Sequence, residues 1–122
     1  MKIAVLKELA DGEARVSASP ETVKKFVALG ATMAVEKGAG ESAAVADTDY
    51  QEMGATIGTR EAVLKDADIV LGVQGPDPQS LKGIKKGAWL VASLNPFGKR
   101  ERVDAYAKLG IDALAMEFMP RI

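Results

Sequence analysis

With no histidine and no cysteine in the chain, any chemistry falls to its carboxylates, lysines, arginines and backbone. A Ser-His-Asp triad, a thiol nucleophile, a His- or Cys-ligated metal and an imidazole proton shuttle are all excluded within it. Arg15 follows Glu8 and Glu13. A guanidinium there either clamps a carboxylate or phosphate through two parallel hydrogen bonds or ties its own loop to one of those acids, and the tie is the favoured reading. Lys99, Arg100 and Arg102 concentrate charge at a helix start, which reads as a solvated face before it reads as an anion site. Asp66 and Asp68 fall at a helix end and a strand entrance, so they read as surface charges rather than as a paired-carboxylate acid/base site. Arg121 follows Pro120 at the mouth of the last expected strand, where parallel sheets gather ligands. On pattern alone, a solvent-exposed terminal arginine is an equal reading of it.

Gly38-Ala39-Gly40-Glu41-Ser42-Ala43 matches G-x-G-x-x-G/A after an expected strand. Dinucleotide binding needs a long helix opening at the last of those positions, so that its N–H groups meet the pyrophosphate. Asp47 interrupts the run within one turn. The acid expected about twenty residues on would be Glu61, which sits at a helix start and not at a strand end. A sharp turn explains the glycines better.

The elements that must position these residues follow a regular alternation. Ile3-Ala4-Val5-Leu6 is a short apolar run of the kind buried parallel strands show. A polar loop from Lys7 to Ser17 leads to Ser19-Pro20, an N-cap followed by proline at the first helical position. Val23, Phe26 and Val27 give that helix its buried stripe, and Gly30 stops it. Leu29-Gly30-Ala31-Thr32, Met53-Gly54-Ala55-Thr56 and Leu109-Gly110-Ile111-Asp112 repeat one joint, in which a glycine ends a helix and a strand follows at once. Asp47 is expected to cap a short helix through Met53, and Thr59 another through Ala67. Strands are expected at Ala31–Val35, Asp68–Val73, Ala88–Leu94 and Ala113–Met116, with a rigid loop at Gln74–Pro78 and a polar helix from Lys99 to Lys108. About six strands with intervening helices predict an α/β fold, an open, mainly parallel sheet with helices on both faces. That is a Rossmann- or flavodoxin-like three-layer arrangement without the dinucleotide fingerprint.

A length of 122 residues, 48% apolar and 27% charged, predicts a single domain with a self-sufficient core. Sixteen basic residues against seventeen acidic ones, with 5% aromatics, argue against nucleic acid. No apolar run approaches the roughly 18 residues of a membrane span, and the chain reads as soluble and cytoplasmic.

Lys2-Ile3-Ala4-Val5 with Lys7-Glu8, then Arg15-Val16-x-x-Ser19-Pro20, then Val35-Glu36-Lys37-Gly38-Ala39-Gly40 resemble the start of the alanine dehydrogenase and nicotinamide nucleotide transhydrogenase families. Ala115-Met116-Glu117-Phe118-Met119-Pro120-Arg121-Ile122 resembles the transhydrogenase alpha subunit more narrowly. The resemblance implies the N-terminal subdomain of a soluble NAD(H)-binding component. Hydride would pass from NADH to NADP held on a partner component that binds NADP(H), while membrane components move protons. It implies a homodimer in the intact component, peripheral to the inner membrane, with no direct membrane insertion. The Gly-rich second subdomain would lie beyond Ile122, so residues 1–122 alone are expected to fold, bind nucleotide weakly, transfer no hydride and self-associate. Arg121 matches a family arginine at the NAD(H) site, and Ile122 is the next residue of that loop, so both are implied as cofactor-binding; no catalytic acid or base and no metal is implied. An alanine dehydrogenase-like domain is the alternative. There the arginine matching Arg15 and a lysine at the Gln74 position hold the substrate, and a histidine at the Asn95 position handles the proton. A non-catalytic α/β interaction module is the third reading.

Overall fold

The computed structural model describes residues 1–95 and 98–118. Arg121 and Ile122 lie outside them. Six strands alternate with four helices: β1 (Lys2–Val5), α1 (Pro20–Ala28), β2 (Thr32–Glu36), α2 (Asp47–Glu52), β3 (Thr56–Gly58), α3 (Arg60–Leu64), β4 (Ile69–Gln74), β5 (Trp89–Ser93), α4 (Arg100–Lys108) and β6 (Asp112–Ala115). All pairings are parallel and the strand order is β3-β2-β1-β4-β5-β6. The expected six-stranded parallel sheet is therefore present.

Local chemistry explains most element boundaries. The Ser19 hydroxyl accepts from the Thr22 N–H and Pro20 opens α1. The Thr59 hydroxyl accepts from the Ala62 N–H at the start of α3. Two helix expectations shift. Asp47 lies inside α2 with Ala46 at the cap position, because the Asp47 carboxylate accepts from Gly38 N–H at 2.9 Å while Asp49 accepts from Ala46 N–H at 3.0 Å. α3 stops at Leu64 rather than running to Ala67, since Asp66 turns left-handed at φ 59°.

Successive strands step one way from β1 to β3 and the other way from β4 to β6, and right-handed crossovers put the two sets of connections on opposite faces. One core joins α3, α4 and the Pro78–Leu81 turn to the sheet around Leu6, Val70, Leu90 and Tyr106. The other joins α1 and α2 to it around Val5, Val23, Met33 and Tyr50. On this second face Ile69 pairs in register with Trp89, and Leu71 with Val91 and then Leu114. No described helix packs there over β5 and β6. Trp89 is consequently 49% exposed, with Leu114 and Met116 also open.

Candidate functional site

Where strand order reverses, between β1 and β4, the two connections leave in opposite directions and open a crevice at the strands' carboxyl ends. A cavity of about 540 Å³ occupies that place, bounded by Lys7 and Glu8 after β1, Gln74 and Gly75 at the end of β4, Arg60 and Ser80, Lys99 just before α4 and Arg102 in its first turn. Its volume lies in the range of small-molecule sites.

Carboxylates hold the rim in order by accepting from backbone N–H groups at neighbouring strand ends. Glu8 takes Val73 N–H at 3.0 Å and Gln74 N–H at 2.8 Å. Glu36 takes Lys7 N–H at 2.9 Å. Glu117 takes Leu94 N–H at 3.1 Å and Asn95 N–H at 2.7 Å. Burial pushes the Glu117 carboxyl up, yet the N–H groups of Asn95, Glu117 and Leu94 together hold it below the usual range. Arg60 knits four segments. Its guanidinium pairs with Glu36 and donates to the Ser80 hydroxyl at 2.9 Å and the Lys7 carbonyl at 2.6 Å, with its side chain 15% exposed.

The end of β4 is shaped by a one-residue irregularity. Leu71 opposes Val91 but Gln74 opposes Ser93, so β4 carries an extra residue there. Such a bulge re-aims the side chains after it. Beyond it the chain is pinned: Gly75 N–H donates to the Ser93 carbonyl at 2.8 Å, Arg102 Nη1 donates to the Gly75 carbonyl at 2.9 Å, and the Tyr106 hydroxyl donates to the Pro76 carbonyl. Gly75 suits this closeness, because a Cβ would stand 3.1 Å from Tyr106 Oη and 3.2 Å from Leu94 Cδ2, and those side chains would have to give by a few tenths of an ångström.

Arg15 ties its own loop, as its neighbours suggested. Nε and Nη2 donate to the two oxygens of Glu13 at 3.0 and 2.8 Å, and the Arg15 N–H adds a third bond at 3.0 Å. Gln74 Nε2 donates to the same carboxylate at 2.9 Å, across to the end of β4. The Arg15 and Gln74 side chains, followed by the Arg15 N–H, hold the Glu13 carboxyl down to about 2. Arg102 departs from the solvated-face expectation, since it is half-buried against the cavity and bonded to Gly75, while Lys99 lines the cavity and Arg100 is exposed. Asp68 is a paired charge at the opposite end of the sheet, accepting from Lys2 N–H at 2.7 Å and bridging Lys85. The Gly38–Gly40 segment is a turn followed by a single 3₁₀ turn, Glu41–Ala43, as read from the sequence.

Glu36, Arg60 and Glu117 carry no sequence signal specific to these roles, and neither does the bond from Gln74 to Glu13. Acids recurring at or just after strand ends, at Glu8, Glu36 and Glu117, were the available signal. Among the described residues no group of three or more His, Cys, Asp or Glu side chains could hold a metal, and no helix is long and apolar enough to cross a membrane.

Residues 4–122 match the family described as alanine dehydrogenase/PNT, N-terminal domain. An NAD(P) transhydrogenase alpha-subunit chain of Rhodospirillum rubrum is 44% identical over 128 residues, covering all of this chain and 33% of that protein. The crystal structure of transhydrogenase from Sinorhizobium meliloti superposes with a TM-score of 0.94 at 38% identity, covering 100% of this chain and 36% of that one. An L-alanine dehydrogenase structure superposes at 0.87 with 31% identity, covering 94% of this chain and 32% of that one. The chain thus spans about a third of the length of these relatives. With its parallel sheet, its crevice at the β1/β4 reversal and its sequence matched from residue 4 onward, the chain belongs to the family of alanine dehydrogenase/PNT N-terminal domains.

Proposed function

We propose that this domain is the N-terminal subdomain of the NAD(H)-binding component of a proton-translocating transhydrogenase, acting with a second, Gly-rich nucleotide-binding subdomain. The observation that carries this reading over an alanine dehydrogenase is the state of the rim. Arg15 is engaged by Glu13, and Gln74 stands where a cation would be needed to neutralise a substrate carboxylate. Greater likeness to the transhydrogenase structure supports the same choice.

Hydride transfer between two nicotinamide rings requires positioning rather than a protein nucleophile or proton shuttle, which agrees with a chain that has no histidine and no cysteine. The cavity is of a size for a small organic ligand, and Lys7, Lys99 and Arg102 around it suit the phosphates of a nucleotide. In this reading Arg121 orients bound NAD(H) electrostatically and Ile122 adds backbone contacts. NADP(H) is held by a partner component, membrane components couple the transfer to protons, and the intact component is a homodimer at the cytoplasmic side of the inner membrane.

The test uses this domain within the assembled component and its partners. NADH-dependent reduction of NADP is expected, alanine-dependent reduction of NAD is not, and Arg121→Ala should weaken NADH binding roughly tenfold, the loss of one charge-assisted hydrogen bond. Robust alanine-dependent reduction would overturn the proposal in favour of the dehydrogenase.

A further inference from the structure

We propose that Gln74 is a specificity-determining residue, its side-chain carbonyl oxygen accepting a hydrogen bond from the carboxamide N–H of a nicotinamide ring, with Glu13 deciding which end of the Gln74 amide faces the cavity. The inference rests on the nucleotide reading above and adds a recognition element to it.

Glu13 fixes the orientation of the Gln74 amide. An ionised carboxylate only accepts, so the atom of the Gln74 amide that meets it must be the N–H donor, here Nε2 at 2.9 Å. Arg15 holds that carboxylate in place through three donors. With Nε2 committed, Oε1 is the end left to a ligand, and among the described residues no donor reaches it. The main chain beneath is equally fixed. Glu8 holds the Gln74 N–H at 2.8 Å, the Ser93 carbonyl receives the Gly75 N–H at 2.8 Å, and Arg102 grips the Gly75 carbonyl. The bulge in β4 places this residue on the cavity wall. A fixed acceptor costs little ordering when a ligand arrives.

The surroundings then select the ligand's chemistry. A carboxylate would set lone pairs against the Gln74 oxygen. An ammonium would satisfy that oxygen but meet Lys7, Lys99 and Arg102 on the same walls, where the two lining carboxylates already accept from backbone N–H groups, Glu8 from Val73 and Gln74 and Asp77 from Gln79. A neutral N–H donor carried on a phosphate-bearing molecule satisfies both constraints, and the carboxamide of a nicotinamide nucleotide is such a group.

The experiment is an NMR titration of the ¹⁵N-labelled 122-residue chain with NADH and with reduced 3-acetylpyridine adenine dinucleotide, which keeps the ring carbonyl and lacks the N–H donors. NADH should move the Gln74 side-chain amide signals, and the analogue should bind about five- to tenfold more weakly, the worth of one neutral hydrogen bond. Gln74→Leu should bring NADH down to the analogue's affinity, and Glu13→Gln, which lets the amide rotate, should narrow the gap. Nicotinamide mononucleotide should reproduce the Gln74 shift and AMP should leave it unmoved. Shifts elsewhere with Gln74 unmoved, discrimination that survives Gln74→Leu, or an AMP-induced shift at Gln74 would overturn this inference and leave the nucleotide reading standing. No NADH-induced shift anywhere at millimolar ligand would overturn this inference, while the nucleotide reading itself stands or falls on the reduction assay with the assembled component.

Discussion

At the scale of single residues, Glu13 joins two segments that are distant in sequence, because one carboxylate receives Arg15 from its own loop and Gln74 from the end of β4. Its carboxyl sits at about 2 in the folded chain against an ordinary 4.5. A depressed carboxyl stabilises the fold above the unfolded value, and that contribution is lost as pH falls from 4.5 toward 2. Following the Glu13 carboxyl ¹³C shift with pH should give a midpoint near 2, moving up toward 4.5 in Arg15→Gln; a wild-type midpoint near 4.5 would show that the contacts do not persist in solution. The Arg15 half of this network was legible because its partner lies two positions away. Gln74 was not, because the sequence separation is 61 residues and only the fold brings the groups together. Arg60 was hidden for the same reason. After a capping threonine it reads as an ordinary helix-start cation, and its Glu36, Ser80 and Lys7 partners come from three other segments.

Elements were legible in proportion to how local their causes are. Ser19-Pro20 and Thr59 start helices through bonds three residues long. Asp47 misled because its carboxylate is drawn to Gly38, nine residues back, and the cap position falls to Ala46. The Pro78–Leu81 turn that carries the chain from β4 to β5 had no hydrophobic period to announce it. The Gly38–Gly40 turn was read correctly as a turn, and the structure supplies the reason Gly40 is glycine. A Cβ there would lie 2.7 Å from Val45 Cβ, 2.8 Å from the Val45 carbonyl oxygen and 3.0 Å from buried Tyr50. Gly40→Ala should therefore cost about 1–3 kcal/mol through overpacking, read as a lower urea midpoint with an unchanged slope. An unchanged midpoint would mean that the turn yields freely.

For the molecule as a whole, alternation of helices and strands was enough to give a parallel three-layer fold, but strand order stayed out of reach because pairing is a relation between distant segments. Order matters more than count here. Reversal between β1 and β4 creates the crevice, and the same reversal sends the later connections to one face and, among the described residues, leaves the other face open over β5 and β6. Trp89 stands in that open region and is the chain's single tryptophan. The fold has thus placed one indole chromophore where any covering must change its polarity. Dilute protein should emit at the long wavelengths of a hydrated indole, and the emission should move to the blue as the chain is concentrated if copies associate through this face; emission that stays constant beside a monodisperse sedimentation profile would show that the face remains wet. A single colour measurement on the unmodified protein would then report whether half of one sheet face is covered.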